Sequence, residues 1–202
     1  MRPIIILLVL FLSFTDCASQ TVENSINSTA GITFSLPWIN HYRYADHYKD
    51  EMRRTFGFFG LGISGYYKKN KHKTSFNCSL TEDLPSPLAN VNFSKKDITT
   101  NIGNAYFELI YHTPIVDDVN LIAGMNFTNY IFRVTSRIDS VSSYKKIDQT
   151  LGFSLGLEYR FNNYYSVAAV YRPAFASFET DGKYRHLINI ELRIDLDLKK
   201  KD

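Results

Sequence analysis

The sequence predicts an all-β protein: a closed, antiparallel, up-and-down, eight-stranded transmembrane β-barrel that turns its apolar face outward. Three observations predict it. The first is the segment HLINIELRIDLDL, residues 186–198, in which Ile188, Ile190, Leu192, Ile194, Leu196 and Leu198 alternate with Asn189, Glu191, Arg193, Asp195 and Asp197. Successive side chains point to opposite faces of a strand, so this is one strand with a greasy face and a charged face. The second is the recurrence of such segments, joined by connections that are long and short in turn. The third is that glycine and small polar residues share the charged face.

Strands are expected at 31–38, 56–68, 72–80, 100–113, 119–135, 148–161, 164–177 and 185–198, an even number. No helix-period stretch stands out between them. The connections then run as follows. Residues 39–55 are long and the Lys69-Asn70-Lys71 turn is tight; 81–99, with Pro85 and Pro87, is long and Pro114 to Asp118 short. Residues 136–147 are long and Ser-rich, Asn162-Asn163 is minimal, and the turn around Glu179-Thr180-Asp181-Gly182 is intermediate. An up-and-down meander places every second connection at the same end. One end therefore collects the long loops and the other the tight turns, as in barrels of the outer membrane.

The residues on each face decide which side is inside. In 151–161, Leu151, Phe153, Leu155, Leu157, Tyr159 and Phe161 oppose Gly152, Ser154, Gly156, Glu158 and Arg160. In 57–67, Phe59, Leu61, Ile63 and Tyr67 oppose Gly60, Gly62 and Ser64; in 119–128, Leu121, Ala123, Met125 and Phe127 oppose Asn120, Gly124, Asn126 and Thr128. Glycine weakens a solvent-facing strand with no return. Inside an eight-stranded barrel, where the bore is just wide enough for side chains, it makes room for a few long ones. The polar face is therefore expected to be the lumen. Its charges balance: Lys73, Arg160, Arg172 and Arg193 against Glu108, Glu158, Glu191 and Asp195. Charges taken out of water need partners, and a matched set forms a salt-bridged plug. The alternative keeps the same alternation but makes the apolar face the core of a soluble secreted barrel carrying an apolar ligand.

The N-terminus carries an export signal. One Arg precedes an apolar run from Ile4 to Phe14, too short to span a bilayer, followed by small and polar residues. Cleavage after Ser19 is expected, giving a signal peptide at 1–19, a barrel at 20–198 and a basic tail at 199–202. Lipidation at Cys17 is the rival reading, against which stand Thr15 and Asp16 just before it. Cys78 is then the lone cysteine, and no intrachain disulfide forms. With 23 basic and 20 acidic side chains, no charge excess points to nucleic acid. The 14 Tyr and 15 Phe suit aromatic girdles at the membrane boundaries, with Trp38 the clearest candidate.

On the signal at 1–19, the dyad segments Leu151–Phe161 and His186–Leu198 and the asparagine turn between Phe161 and Tyr164, the chain resembles the small eight-stranded bacterial outer-membrane β-barrel proteins. One departure is the C-terminus, Leu198-Lys199-Lys200-Lys201-Asp202, where such barrels often end on an aromatic residue that the assembly machinery reads. The resemblance implies a bacterial outer-membrane location, outer-membrane lipid as surroundings, the barrel-assembly machinery as a partner during insertion, and a monomer. It also implies three kinds of role: structural or adhesive barrel, lipid-modifying enzyme, or pore. A pore needs a wider ring. For an enzyme, His41 and His47 with Asp139-Ser140 offer the components of a catalytic set, but loops rich in Ser, Asp and Tyr make that a common coincidence. No metal spacing, phosphate loop or cofactor motif occurs. The expected role is non-enzymatic, with His41, Tyr42, Arg43, Tyr44 and His47 in the first long loop as a binding surface for an extracellular ligand, since Tyr and Arg dominate recognition surfaces.

Overall fold

The structure, a computed structural model, describes residues 28–84, 98–136, 138, 141–179 and 182–201. All eight strands are present: β1 (Ser28–Asp46), β2 (Glu51–Lys69), β3 (His72–Leu84), β4 (Ile98–Val116), β5 (Val119–Ser136), β6 (Tyr144–Arg160), β7 (Tyr165–Ser177) and β8 (His186–Lys201). Each pairs antiparallel with the next, and β1 pairs with β8, so the sheet closes into a barrel. Closure gives every strand a paired neighbour on both sides, as a sheet in hydrocarbon requires.

The faces fall as the alternation requires. Phe34, Leu36, Leu61, Ile63, Phe76, Leu80, Leu121, Phe153, Leu155 and Ile190 are exposed on the outside, while Ser64, Ser75, Asn77, Glu108, Asn126, Ser154, Glu158 and Asn189 are buried within. An apolar exterior around a polar interior inverts a soluble barrel, and the reading as a soluble carrier falls with it. Rings of exposed aromatics flank the apolar band. Tyr67, Tyr111, Tyr159 and Phe161 lie toward the end where β1 begins and β8 finishes, called the terminal end below, and Trp38, Phe56, Phe59 and Phe175 toward the other. Cys78, half-buried, shares the outward face with Phe76 and Leu80.

The connections need correction. At the end opposite the termini they span 47–50, 85–97, 137–143 and 178–185; at the terminal end only 70–71, 117–118 and 161–164. Long and short sort by end except in the first hairpin, where the expected first long loop, 39–55, shrinks to the four residues 47–50, the same length as 161–164. Its flanks continue β1 and β2. Likewise 199–201 are not a tail: β8 runs to Lys201, which pairs with Ser28. The signal segment 1–19, Cys17, Asp139, Ser140 and most of the third connection lie outside the described residues.

The first hairpin escaped because its alternation changes parity halfway. Gly31, Thr33 and Ser35 are buried, odd-numbered and inward; after a bulge at Pro37/Ile39 the inward residues are Asn40, Tyr42, Tyr44 and Asp46. β2 makes the matching shift at Phe58/Gly60, where Phe59 takes φ 67°. A bulge puts two residues opposite one and so exchanges the faces beyond it. The two bulges lie side by side: Trp38 and Phe59 are in ring contact at 5.8 Å. Inside, the Asn40 amide donates to the carbonyls of Pro37 at 3.5 Å and Phe59 at 3.4 Å, occupying backbone acceptors that the bulges free from the ladder.

Candidate functional site

Small inward residues open the bore for long ones. A Cβ on Gly124 would lie 2.1 Å from the Leu109 carbonyl oxygen, and one on Gly62 between the Ser35 and Ser79 hydroxyls at 2.2 and 2.1 Å. The space so released is filled by a continuous set of ionic side chains. Arg172, from β7, is its hub. Its Nε and Nη2 donate to the two Glu108 oxygens at 2.8 Å each, and Nη2 also reaches Glu191 Oε1 at 2.8 Å. The guanidinium lies 4.2 Å from the Tyr106 ring centroid, and Nη1 donates to Asn189, whose amide donates in turn to Asn40. The hub is thereby tied to the bulges of the first hairpin.

The remaining charges attach on either side. Arg193 donates to Glu191 Oε2 at 2.8 and 3.1 Å and lies 3.6 Å from Glu158. Lys73 bridges the bore from β3 to Asp195 on β8 at 2.7 Å. The Thr33 hydroxyl donates to the same carboxylate at 2.5 Å. Arg160, partly exposed at the terminal end, lies 3.7 Å from Glu158 and 4.0 Å from Asp195. All eight residues expected from the alternation thus come together in the interior, paired with one another.

The alternation did not identify four further members. His112, inward on β4, sets Nδ1 3.0 Å from Glu158 Oε2. At the mouth opposite the termini, Arg185 and His47 both contact Asp148, at 2.8 Å each. His112 follows from the parity of β4, and Asp148 from that of β6. His47 and Arg185 sit in connections, where parity gives no signal. Also unforeseen was an aromatic layer inside: Tyr42, Tyr44, Ile102, Tyr106, Tyr130, Phe132, Val134 and Leu187 form a buried cluster toward that mouth.

That layer corrects the expected binding surface. Tyr42 and Tyr44 are strand residues 0% and 4% exposed, pointing into the bore, and His47 is held by Asp148. Only His41 and Arg43 face outward. Beside them lie Phe56 (4.9 Å between ring centroids with His41), His186 (5.5 Å from His41), Tyr171 and Tyr184, with the Arg43 guanidinium 5.4 Å from the Tyr184 centroid. Burial, and then the Tyr171 hydroxyl at 2.5 Å, push the Tyr184 phenol up to about 12, so the ring under Arg43 is neutral.

Two arrangements resemble catalytic sets. The Ser75 hydroxyl lies 3.4 Å from His112 Nε2, and His112 Nδ1 3.0 Å from Glu158, the order of a nucleophile, base and orienting acid. Yet Thr33, Ser35, Ser64, Lys73, Asn77 and Arg193 close around it and leave no space for a water molecule. His47 has its carboxylate but, among the described residues, no hydroxyl nucleophile bonded to it; its other ring nitrogen meets Lys146 Nζ at 3.3 Å. Among the described residues no group of three or more His, Cys, Asp or Glu is placed to hold a metal.

Comparison with known proteins agrees with this architecture. The family described as outer membrane protein beta-barrel domain matches residues 5–192. Among solved structures, the attachment invasion locus protein Ail of Yersinia pestis is similar, with a TM-score of 0.53 at 12% identity over 86% of this chain and 100% of that one. Neisserial surface protein A gives 0.51 at 13% identity, covering 85% and 99%. The N-terminal β-barrel domain of Pseudomonas aeruginosa OprF gives 0.51 at 12%, covering 84% and 99%. No curated protein matches.

Proposed function

The chain belongs to the outer membrane protein beta-barrel domain family and resides in the bacterial outer membrane; from that premise we propose that it is a plugged, non-conducting and non-enzymatic barrel. Its work is done at the end opposite the termini, in envelope structure or in binding an extracellular ligand. The observation that carries this reading is the interior. Each of its buried carboxylates meets a cation within 4.0 Å, and a gap beside Lys68, Asn120 and Arg160 at the terminal end measures about 120 Å³. A ring of eight strands filled with side chains has no aqueous path. The longer connections at the other end suit the extracellular side, and the short turns the periplasmic side. A name such as attachment invasion locus describes a surface role for a protein of the same fold.

Two measurements test it. Reconstituted in planar bilayers, the full chain is expected to give no unitary conductance steps; reproducible steps overturn the plug. In a Cys78→Ser background, Ser142→Cys is expected to react with an impermeant maleimide on intact cells, and Asp117→Cys only after permeabilisation. The reverse pattern overturns the orientation.

A further inference from the structure

Most cations at the extracellular mouth have a carboxylate: Arg53 has Asp46, Arg133 has Glu82, Lys146 has Glu179, Lys183 has Asp50 and Arg185 has Asp148. Arg43 and Arg54 differ. They lie directly opposite each other on β1 and β2, both on the outer face, and among the described residues neither forms an ion pair or a hydrogen bond. Like charges directly opposite on paired strands oppose each other and weaken the pair. Two histidines adjoin them. His186 is opposite Arg43 on β8, and His41 stacks on His186. Both ring nitrogens of His186 and Nδ1 of His41 are buried without a hydrogen-bond partner. The patch is therefore cationic, has no counter-ion among the described residues, and sits above the aromatic ring of Trp38 and Phe59. Arg43 is five residues beyond Trp38, about 16 Å along the strand.

We propose that Arg43 and Arg54 form a binding site on the outside of the barrel for the phosphate of an outer-leaflet lipid, with its chains lying down the face of β1 and β2 past Trp38. Two features fit a lipid rather than a free anion, and a third fits phosphate from either source. The guanidinium pair faces away from the bore, on the outer side of the aromatic ring that ends the apolar band. The surface below it is continuous and greasy: Phe56, Trp38, Phe59, Leu36 and Leu61 are all exposed. Arg43 is steadied by the Tyr184 ring, which leaves its fork free to take phosphate oxygens in pairs. The assignment rests on the extracellular orientation proposed above, and on nothing else in that reading.

Trp38 is the sole tryptophan and reports the test directly. The full chain is reconstituted in zwitterionic vesicles containing a minor fraction of chain-brominated lipid, either a phosphomonoester lipid or a phosphatidylcholine. Quenching of Trp38 is expected to show a preference for the phosphomonoester lipid of about fivefold for each arginine engaged. Arg43→Gln/Arg54→Gln is expected to bring the two lipids to parity. Arg54→Glu supplies the control for folding: it creates an opposite-charge pair with Arg43, so the barrel should be at least as resistant to unfolding in zwitterionic vesicles while its lipid preference disappears. Equal quenching by the two lipids in the parent protein overturns the site, as does a preference that survives both variants. Millimolar inorganic phosphate should leave the preference intact; if it abolishes it, the patch is a free-phosphate site and the lipid assignment fails. The maleimide pattern above reads orientation independently of this result.

Discussion

Replacing Arg172 with leucine tests the ionic interior at its most connected point. Arg172 is 1% exposed and contacts Glu108 twice, Glu191 once and the Tyr106 face. Glu191 keeps Arg193 at 2.8 Å after the change. Glu108 has no second cation among the described residues; it keeps the Asn77 amide at 2.9 Å and the Ser154 hydroxyl at 2.6 Å. Leaving one charge of a buried pair uncompensated costs about 3–5 kcal/mol. The loss falls on one carboxylate rather than two, so we expect about 4 kcal/mol for Arg172→Leu. Adding Glu108→Gln removes the stranded charge and retains both neutral partners, and should recover about 2 kcal/mol of it. The assay is equilibrium unfolding in lipid vesicles followed by Trp38 emission, with the mobility difference between unheated and boiled samples as a second probe. A loss below about 1 kcal/mol, or a double variant no better than the single one, would refute the claim that these charges are dry and mutually dependent.

Two further comparisons separate the faces. Leu192→Lys places a charge in hydrocarbon at a cost of about 2–4 kcal/mol in vesicles and should cost little in detergent micelles, whereas Arg193→Leu, which strips Glu191 and Glu158 of a cation, should lose about 3 kcal/mol in both. Side-by-side unfolding in the two media checks this. Gly124→Val should destabilise by about 3 kcal/mol, because a Cβ there meets the Leu109 carbonyl and Ile110 Cα at 2.1 and 2.8 Å. Gly65→Ala, with nothing within 4 Å of the added carbon, should gain about 0.4–1 kcal/mol; guanidinium midpoints of the two variants decide it.

The strands and the direction of the faces were legible because a bilayer imposes strict alternation, which β6 obeys from end to end and β8 from His186 to Asp195. The eight interior charges followed from parity alone. What parity could not reach lay beyond the bulges. From Asn40 onward the inward residues switch from odd to even, so Tyr42 and Tyr44 looked like loop aromatics and the outward His41 and Arg43 had no strand to belong to. The aromatic inner layer was hidden for a related reason: tyrosine suits a girdle as well as a core, and only its partners, such as the Thr81 hydroxyl that Tyr42 meets at 2.8 Å, tell the two apart. Arg185 and His47 find Asp148 from connections, whose course no alternation describes.

The position of β8 in this network has a bearing on how the protein is made. Asn189, Glu191, Arg193 and Asp195 all arrive on β8, the strand that closes the ring, and each answers a group already placed by an earlier one: Asn40, Arg172, Glu158 and Lys73. Until that strand docks, Lys73 lacks the carboxylate that neutralises it and Glu158 lacks one of its cations. A chain stopped before residue 186 would thus have neither a seam nor a neutral bore, and lipid would reject it on both counts. Synthesis through β8 becomes a condition for a closed and neutral bore, set by the chain's own charges.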